Sequence, residues 1–196
     1  MSRIRVFAPA TVSNVGPGFD VLGFAMHRPG DTVGAELGDE PGVELVEITG
    51  DSGRLPRNAS ENSAGVAAAA VLMRVAAQRR VPGLRLWLHK GLPLASGLGS
   101  SGASAAAAAV AANIVLGRPL VPREVVACAM EGERAASGSA HADNVAPSVL
   151  GGFVLIRSCD PLDIVSLPVP DGLFVAVVHP HCEVSTARAR ALLQEQ

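Results

Sequence analysis

A glycine-rich stretch followed by an alanine-rich run is the feature that most constrains how this chain can fold. Residues 91–102 read GLPLASGLGSSG, and the run that follows is mostly alanine as far as Leu116. Alanine favours helix, whereas glycine permits positive φ and close backbone approach. The alternating residues 84–89 before them predict a strand, so the order is strand, glycine loop and long helix. Because the first N–H groups of such a helix attract anions, the loop is a candidate phosphate site.

Composition excludes several classes of protein. The 196 residues are 48% hydrophobic and 17% charged, which is not the composition of a disordered chain. A net charge of −2 and 3% aromatic residues argue against a nucleic-acid partner. No apolar stretch approaches the roughly 20 residues of a membrane span, and the charged, Pro- and Gly-containing first residues lead us to expect no signal peptide. We therefore expect a soluble, cytoplasmic protein whose scattered cysteines, Cys128, Cys159 and Cys182, are reduced thiols.

Periodicity predicts strands and helices along the whole chain. Strands are expected at residues 3–10, 21–26, 33–38, 43–48, 84–89, 149–157 and 173–178. The turn at residues 39–42 predicts that the strands on either side of it pair with each other. Helices are expected at 62–78, with Asn62 or Ser63 as N-cap, at 103–116, at 122–136 with Pro122 near the first position, and from 185 onward. The last helix reaches Gln196 without a C-cap, so we expect the chain to be cut short.

Four ordered motifs resemble those of the GHMP kinases, the superfamily of galactokinase, homoserine kinase, mevalonate kinase and phosphomevalonate kinase. They are APATVSNVGPGFDVLG at 8–23, PLASGLGSSGA at 93–103, EGERAASGSAHADNVAP at 131–147 with the Gly-Gly-Phe at 151–153, and STARAR at 185–190. Their form is similar to that of homoserine kinases. The resemblance implies ATP-dependent phosphorylation of L-homoserine to O-phospho-L-homoserine, a step of threonine biosynthesis.

The same resemblance implies an α+β fold of two domains. Residues 1–155 would form the mixed-sheet, ATP-binding domain, similar to the second domain of ribosomal protein S5. Residues 156–196 would begin a ferredoxin-like C-terminal α/β domain. A third glycine-rich motif of the superfamily is absent, which agrees with a fragment or a truncated gene. The implied partners are ATP, Mg²⁺ and L-homoserine, without nucleic acid or membrane, and a homodimer is left open.

Site residues follow from the resemblance, position by position. Asn62 and Lys90 would lie around the nucleotide, and Ser101 with Glu133 would hold Mg²⁺, with Ser100 as a competitor for that role. The nucleotide phosphates would lie against the whole loop, namely Pro93, Leu94, Ala95, Ser96, Gly97, Leu98, Gly99, Ser100, Ser101, Gly102 and Ala103.

The resemblance also implies how the acceptor is bound. Asp20 would accept the substrate ammonium, and Arg190, with Arg188 as the rival, would clamp the carboxylate beside Thr186. Asn14 would hold the attacking hydroxyl, and His141 would join the same site. Asn144 stands where sister kinases carry a catalytic aspartate. An amide cannot take a proton, so transfer would depend on positioning and electrostatics, with the hydroxyl proton passing to the phosphate. Asn14, His141 and Asn144 are the candidate catalytic residues, and the neighbouring Asp143 is a candidate general base.

Each of these residues also has an ordinary structural interpretation. Asn14 and Asp20 suit a Pro/Gly-bounded turn, and Glu133 and Arg190 suit exposed helix positions. The pair His179 and His181 is interpreted as structural, since no third metal ligand accompanies it. Two other functions stay open. One is a sister kinase acting on a mevalonate-type or sugar substrate, and the other is a truncated ATP-binding pseudoenzyme.

Overall fold

A computed structural model of the chain describes residues 3–138 and 140–178. The helix predicted from residue 185 lies outside these residues, as do His179, His181, Cys182, Thr186, Arg188 and Arg190. The elements are β1 (Ile4–Val15), β2 (Gly18–Gly38), β3 (Val43–Thr49), α1 (Ser63–Ala76), β4 (Gly83–His89), α2 (Ser100–Val115), α3 (Pro122–Ser137), α4 (Ala142–Leu150), β5 (Phe153–Cys159) and β6 (Leu162–Leu167).

The strands form one mixed sheet in the order β3-β4-β2-β5-β6, with β1 also paired to β2. β2 is 21 residues long and is the central strand of the sheet. Its first part pairs with β5 from Leu22 to Phe24, and its last part pairs with β4 from Thr32 to Gly38. Because β1 runs antiparallel along most of β2, the first sequence motif lies on two adjacent strands.

The pairing predicted through residues 39–42 is wrong. β4 lies between the two strands and bonds to both, antiparallel to β2 and parallel to β3. β4 carries the fully buried leucines of the sheet, Leu84, Leu86 and Leu88, so the central position buries more apolar surface than an edge would. The turn crosses the start of β4 at Gly83, where a Cβ would collide with the carbonyl oxygen of Glu40.

The helices predicted around the glycine loop are confirmed. α1 begins after Asn62, whose side chain accepts from the Ala64 N–H at 3.0 Å as a true N-cap. Pro122 occupies the first turn of α3. Most alanines of α2 are fully buried, since this helix packs against α1, α3, α4 and the sheet. Because its side chains are small on every face, α2 can pack closely against three helices and the sheet at once.

Four other differences separate the predicted elements from the structure. α4 was not expected, and the strand predicted from 149 begins only at Phe153, after Gly151 and Gly152 with positive φ. β6 was also not expected. Residues 173–178, predicted as a strand, have no regular secondary structure. No described strand pairs with them, and Phe174 and Val178 are exposed.

The predicted domain boundary at residue 155 falls inside β5. β5 pairs with β2 and with β6, so both strands continue the sheet of the first domain. The division of the chain into two domains stays a prediction.

Cys128 and Cys159 form no disulfide.

A buried ion pair joins the sheet to the start of α2. The side chains of Lys90 and Asp31 are 1% and 0% exposed and are in direct contact. The Lys90 ammonium also donates to the Ser100 carbonyl and to Ser104 Oγ, both at 2.9 Å. The other Asp31 oxygen accepts from the N–H groups of Gly91 and Leu92 at 3.0 and 3.1 Å. The pair therefore ties β2, the end of β4 and the first turn of α2 together.

Lys90→Met tests this junction. The substitution leaves the Asp31 carboxylate buried without its cation, so we expect the free energy of unfolding to fall by about 3–5 kcal/mol. Chemical denaturation measures this fall. Arg85→Met, which removes an exposed cation paired with Glu36 and Glu44, is the matched control and should cause a much smaller loss. Equal losses in the two variants would contradict a central role for the buried pair.

Candidate active site

A cleft of about 730 Å³ opens beside the start of α2. Predicted site residues from three of the motifs line it, together with the two expected around the nucleotide. They are Asn14, Asn62, Lys90, Leu94, Ala95, Ser96, Gly97, Gly99, Ser100, Ser101, Glu133, His141 and Asn144. The predicted residues Pro93, Leu98, Gly102, Ala103 and Asp20 are not among the described lining residues.

Gly99 shapes the bottom of the cleft. It is the N-cap of α2 with a φ of 65°, which favours glycine. A Cβ at this position would collide with Thr11 Oγ1 and would lie 2.7 Å from Asn144 Oδ1. The first N–H groups of α2 have no acceptor within the helix. The loop therefore presents backbone donors and a positive helix end, and no side chain at Gly99 covers them.

Ser101 and Glu133 meet across the cleft. Ser101 Oγ donates to Glu133 Oε2 at 2.8 Å, whereas Ser100 Oγ is buried without a hydrogen-bond partner among the described residues. Burial raises the pKa of Glu133, and the nearby Asp143 acts in the same direction against the Ser101 hydrogen bond. This geometry favours Ser101 over Ser100 as the partner of Glu133.

A hydroxyl and a carboxylate are oxygen ligands of the kind that Mg²⁺ prefers. In the described part of the chain, no group of three or more His, Cys, Asp or Glu side chains could hold a metal ion. A cation at Ser101 and Glu133 would therefore complete its shell with water and ligand oxygens. The donor set fits Mg²⁺, which usually keeps several waters and binds phosphate oxygens.

Asn144 is fixed from both ends of its amide. Thr11 Oγ1 donates to Asn144 Oδ1 at 2.8 Å, and Asn144 Nδ2 donates to Ser13 Oγ at 3.0 Å. Asn144 lies in the first turn of α4, which approaches β2 closely at Gly23. A Cβ at Gly23 would collide with the Asp143 carbonyl oxygen.

Three of the residues predicted to bind the acceptor, Asn14, Asp20 and His141, come together on the first motif and the start of α4. His141 Nδ1 lies 3.6 Å from Asp20 Oδ2, and the Asp20 N–H donates to Asn14 Oδ1 at 2.9 Å. Asn14 and Asp20 have φ values of 57° and 60°, so this turn holds two side chains in left-handed backbone. Burial and the charge of Asp20 raise the pKa of Asp143. An anion and a polar imidazole thus meet beside Asn144.

The polar groups of Asn62 and Lys90 are already engaged in the fold. Asn62 caps α1 and donates to the Pro56 carbonyl at 2.9 Å, and the Lys90 ammonium has three acceptors. Both line the cleft, and both fit a role in holding its walls. Their direct contact with a nucleotide stays a prediction.

Sequence reasoning missed several residues of the cleft. Arg54, Leu55, Pro56 and Glu61 line it from the loop between β3 and α1, a loop that carries no motif. Ser13, which lines the cleft, and the buried Thr11 lie within the first motif but received no role. The signal that could have found them is alternation, because residues two apart on a strand share a face, and the pairing of β1 with β2 is regular from Thr11 to Ser13.

The comparisons with known proteins agree with this geometry. Residues 63–152 match the family described as GHMP kinases N terminal domain, so the chain carries an N-terminal domain of the GHMP kinase type. Curated relatives that are 44–50% identical over nearly the whole chain are named homoserine kinase. The chain is 50% identical over 200 residues to the homoserine kinase of Chlorobium phaeobacteroides strain BS1, covering 98% of this chain and 62% of that protein.

Solved structures place the fold in the same family. The crystal structure of homoserine kinase from Cytophaga hutchinsonii superposes with a TM-score of 0.89 at 50% identity, covering 97% of this chain and 60% of that one. Mevalonate kinase from Methanococcus jannaschii superposes with a TM-score of 0.63 at 16% identity, covering 86% of this chain and 56% of that one, which shows the shared fold. The chain spans about three fifths of the length of these relatives. Among the described helices, none is long and apolar enough to cross a membrane.

The raised pKa of Asp143 predicts a pH dependence of stability. The folded chain retains this proton at a pH at which the unfolded chain, near 3.8, has released it. Stability is therefore lost as the pH rises from about 4 through the raised pKa. Asp143→Asn removes this loss. In thermal unfolding from pH 4 to 7, the Tm of the variant relative to that of the unaltered protein should therefore rise with pH. Asp39→Asn, in an exposed turn, is the control and should show no such trend; parallel profiles for both variants would contradict the assignment.

Proposed function

We propose that this protein is an ATP-dependent homoserine kinase that transfers the γ-phosphate to the hydroxyl of L-homoserine. One observation carries the proposal. The hydrogen-bonded pair Ser101 and Glu133 lines the same cleft as Asn144 and His141. The Asp20 carboxylate adjoins that cleft through His141. The relatives named homoserine kinase support this choice of acceptor over a sugar or mevalonate.

The phosphates of ATP would bind against the glycine loop and the first turn of α2. Backbone N–H groups and the positive helix end attract the anion, and Gly99 leaves room for it. Mg²⁺ would be held by Ser101 and Glu133. When bound, it neutralises the phosphate oxygens during transfer.

The acceptor would bind beside Asp20 and His141. The Asp20 carboxylate suits the ammonium group of an amino acid, and Asn14, bonded to the Asp20 backbone at 2.9 Å, would orient the hydroxyl. The carboxylate clamp by Arg190, or by its rival Arg188, and the role of Thr186 stay predictions outside the described residues.

Transfer would depend on positioning and not on a general base. The Asn144 side chain is an amide, so it can donate a hydrogen bond but cannot accept the hydroxyl proton, which would pass to the phosphate. Such a site accelerates the reaction through alignment and electrostatics. The proposal also includes a cytoplasmic location, with no nucleic acid or membrane as partner; homodimer formation stays open.

The direct test is transfer from ATP to L-homoserine in the presence of Mg²⁺, followed by ³¹P NMR of the product. Mevalonate and galactose serve as competing acceptors. O-phospho-L-homoserine as the preferred product supports the proposal. Preferred transfer to mevalonate or galactose would instead support a sister kinase.

Glu133→Gln should lower turnover by orders of magnitude and leave the KM for homoserine little changed. The amide retains the shape of the carboxylate but loses the charge that would hold Mg²⁺. The control is Glu131→Gln, an exposed carboxylate on the same helix that pairs with Arg134. Its turnover should be unaltered. Near-normal turnover of Glu133→Gln at saturating Mg²⁺ would assign Glu133 a structural role only.

Asp20→Asn should raise the KM for homoserine at least tenfold, because it leaves the substrate ammonium without its counter-charge; tenfold corresponds to about 1.4 kcal/mol. Steady-state kinetics measure the change, and calorimetry should show ATP affinity within a factor of about two of the unaltered protein, since Asp20 is not among the described residues that line the cleft with the glycine loop. Asp39→Asn again provides the exposed-carboxylate control. A parallel loss of ATP affinity would place Asp20 outside the acceptor site.

A further inference from the structure

The orientation of the Asn144 amide decides what this residue offers to the cleft. An asparagine side chain has an accepting oxygen and a donating nitrogen with two hydrogens. If the oxygen faced the ligand, it would repel the oxygens of a phosphoryl group. If the nitrogen faced the ligand, it would stabilise them.

Two neighbours on β1 settle that orientation. Thr11 is fully buried, and its hydroxyl donates to Asn144 Oδ1 at 2.8 Å. Ser13 Oγ accepts one Nδ2 hydrogen at 3.0 Å. The contacts therefore fix the amide with its oxygen toward Thr11 and Gly99. Nδ2 keeps a second hydrogen, beyond the one given to Ser13, that it can offer to the cleft that Asn144 lines.

Thr11 also fixes the glycine loop. Its N–H donates to the Leu98 carbonyl at 3.2 Å, and its Oγ1 occupies the space where a Cβ of residue 99 would lie. One residue of β1 thus contacts the loop through its backbone and the amide of α4 through its side chain. The spacing between the phosphate loop and Asn144 depends on this residue.

We propose that Thr11 is a positioning residue that holds Asn144 as a hydrogen-bond donor toward the transferring phosphoryl group. This inference rests on the proposed function and adds a residue that the sequence motifs left without a role. Thr11 touches no reacting atom; it acts through Asn144. Its effect should therefore appear in turnover and not in substrate binding.

Thr11→Val and Thr11→Ser form the test pair. Valine keeps the shape but cannot donate, so the amide loses the contact that sets its orientation, and we expect kcat to fall about 10–100-fold. The KM values for ATP and homoserine should stay within about twofold. Serine keeps the hydroxyl and should restore most of kcat. Ser148→Ala controls for general damage at the interface between α4 and β1. It removes another hydroxyl there, which donates to the Pro9 carbonyl at 3.1 Å, and it should leave kcat near normal.

NMR spectroscopy tests the hydrogen bond between Thr11 and Asn144 independently of catalytic activity. In ¹H–¹⁵N spectra, the two Asn144 side-chain hydrogens should have distinct shifts, one hydrogen-bonded to Ser13 and one open to the cleft. Thr11→Val should shift and broaden this pair, and Thr11→Ser should not. Asn144→Asp identifies the signals, since it removes them.

Several results would overturn the proposal. They are an unchanged kcat in Thr11→Val, an equal loss in Thr11→Ser, an equal loss in Ser148→Ala, or Asn144 amide signals that do not respond to Thr11→Val. If the unaltered protein transfers no phosphate to homoserine, the proposed function fails and the catalytic part of this inference fails with it. The amide signals then still decide whether Thr11 orients Asn144, so the two failures are distinguishable.

Discussion

The contact between Asp31 and Lys90 is the interaction on which the cleft depends. A buried charge is unfavourable unless it is paired and fully hydrogen-bonded, and here the ammonium has three acceptors. The carboxylate in turn receives the N–H groups of Gly91 and Leu92. These bonds fix where the chain leaves β4 and where α2 begins. The glycine loop between those two points is thereby anchored at each end, although its own side chains contribute little.

Small residues then bring the other motifs to that loop. The alanines of α2 let α3 and α4 approach its first turn, where Glu133 reaches Ser101 at 2.8 Å. A Cβ at Gly102 would lie 3.3 Å from Asn144 Cβ and 3.7 Å from Glu133 Oε2. Larger side chains on α2 would move both helices away and separate the residues of the cleft. The composition of α2 is therefore a requirement of the site as well as of the core.

Local signals predicted much of this arrangement. The Asn62 cap, the loop before α2 and the first turn of α3 follow from residue types over a few positions, and the structure confirms them. Pairing over long range could not be predicted in the same way: alternation marks 33–38 and 43–48 as strands but does not say that β4 separates them. α4 was missed because its nine residues are short and contain Pro147. The lining residue Arg54 was missed because irregular loops carry no periodicity.

The charges around the cleft have a consequence for how a nucleotide would enter it. Among the described lining residues, Glu61, Glu133 and Asp143 are acidic, whereas Arg54 and Lys90 are basic, and Lys90 is already paired with Asp31. These side chains therefore offer a polyphosphate little net positive charge, and its attraction would come mainly from the backbone N–H groups and the helix end. Under the proposed function, the divalent cation held by Ser101 and Glu133 would supply the missing charge, so the concentration of the nucleotide–cation complex would set occupancy. Contacts of this kind act at hydrogen-bond distance, where salt screens them less than it screens the attraction of separated surface charges.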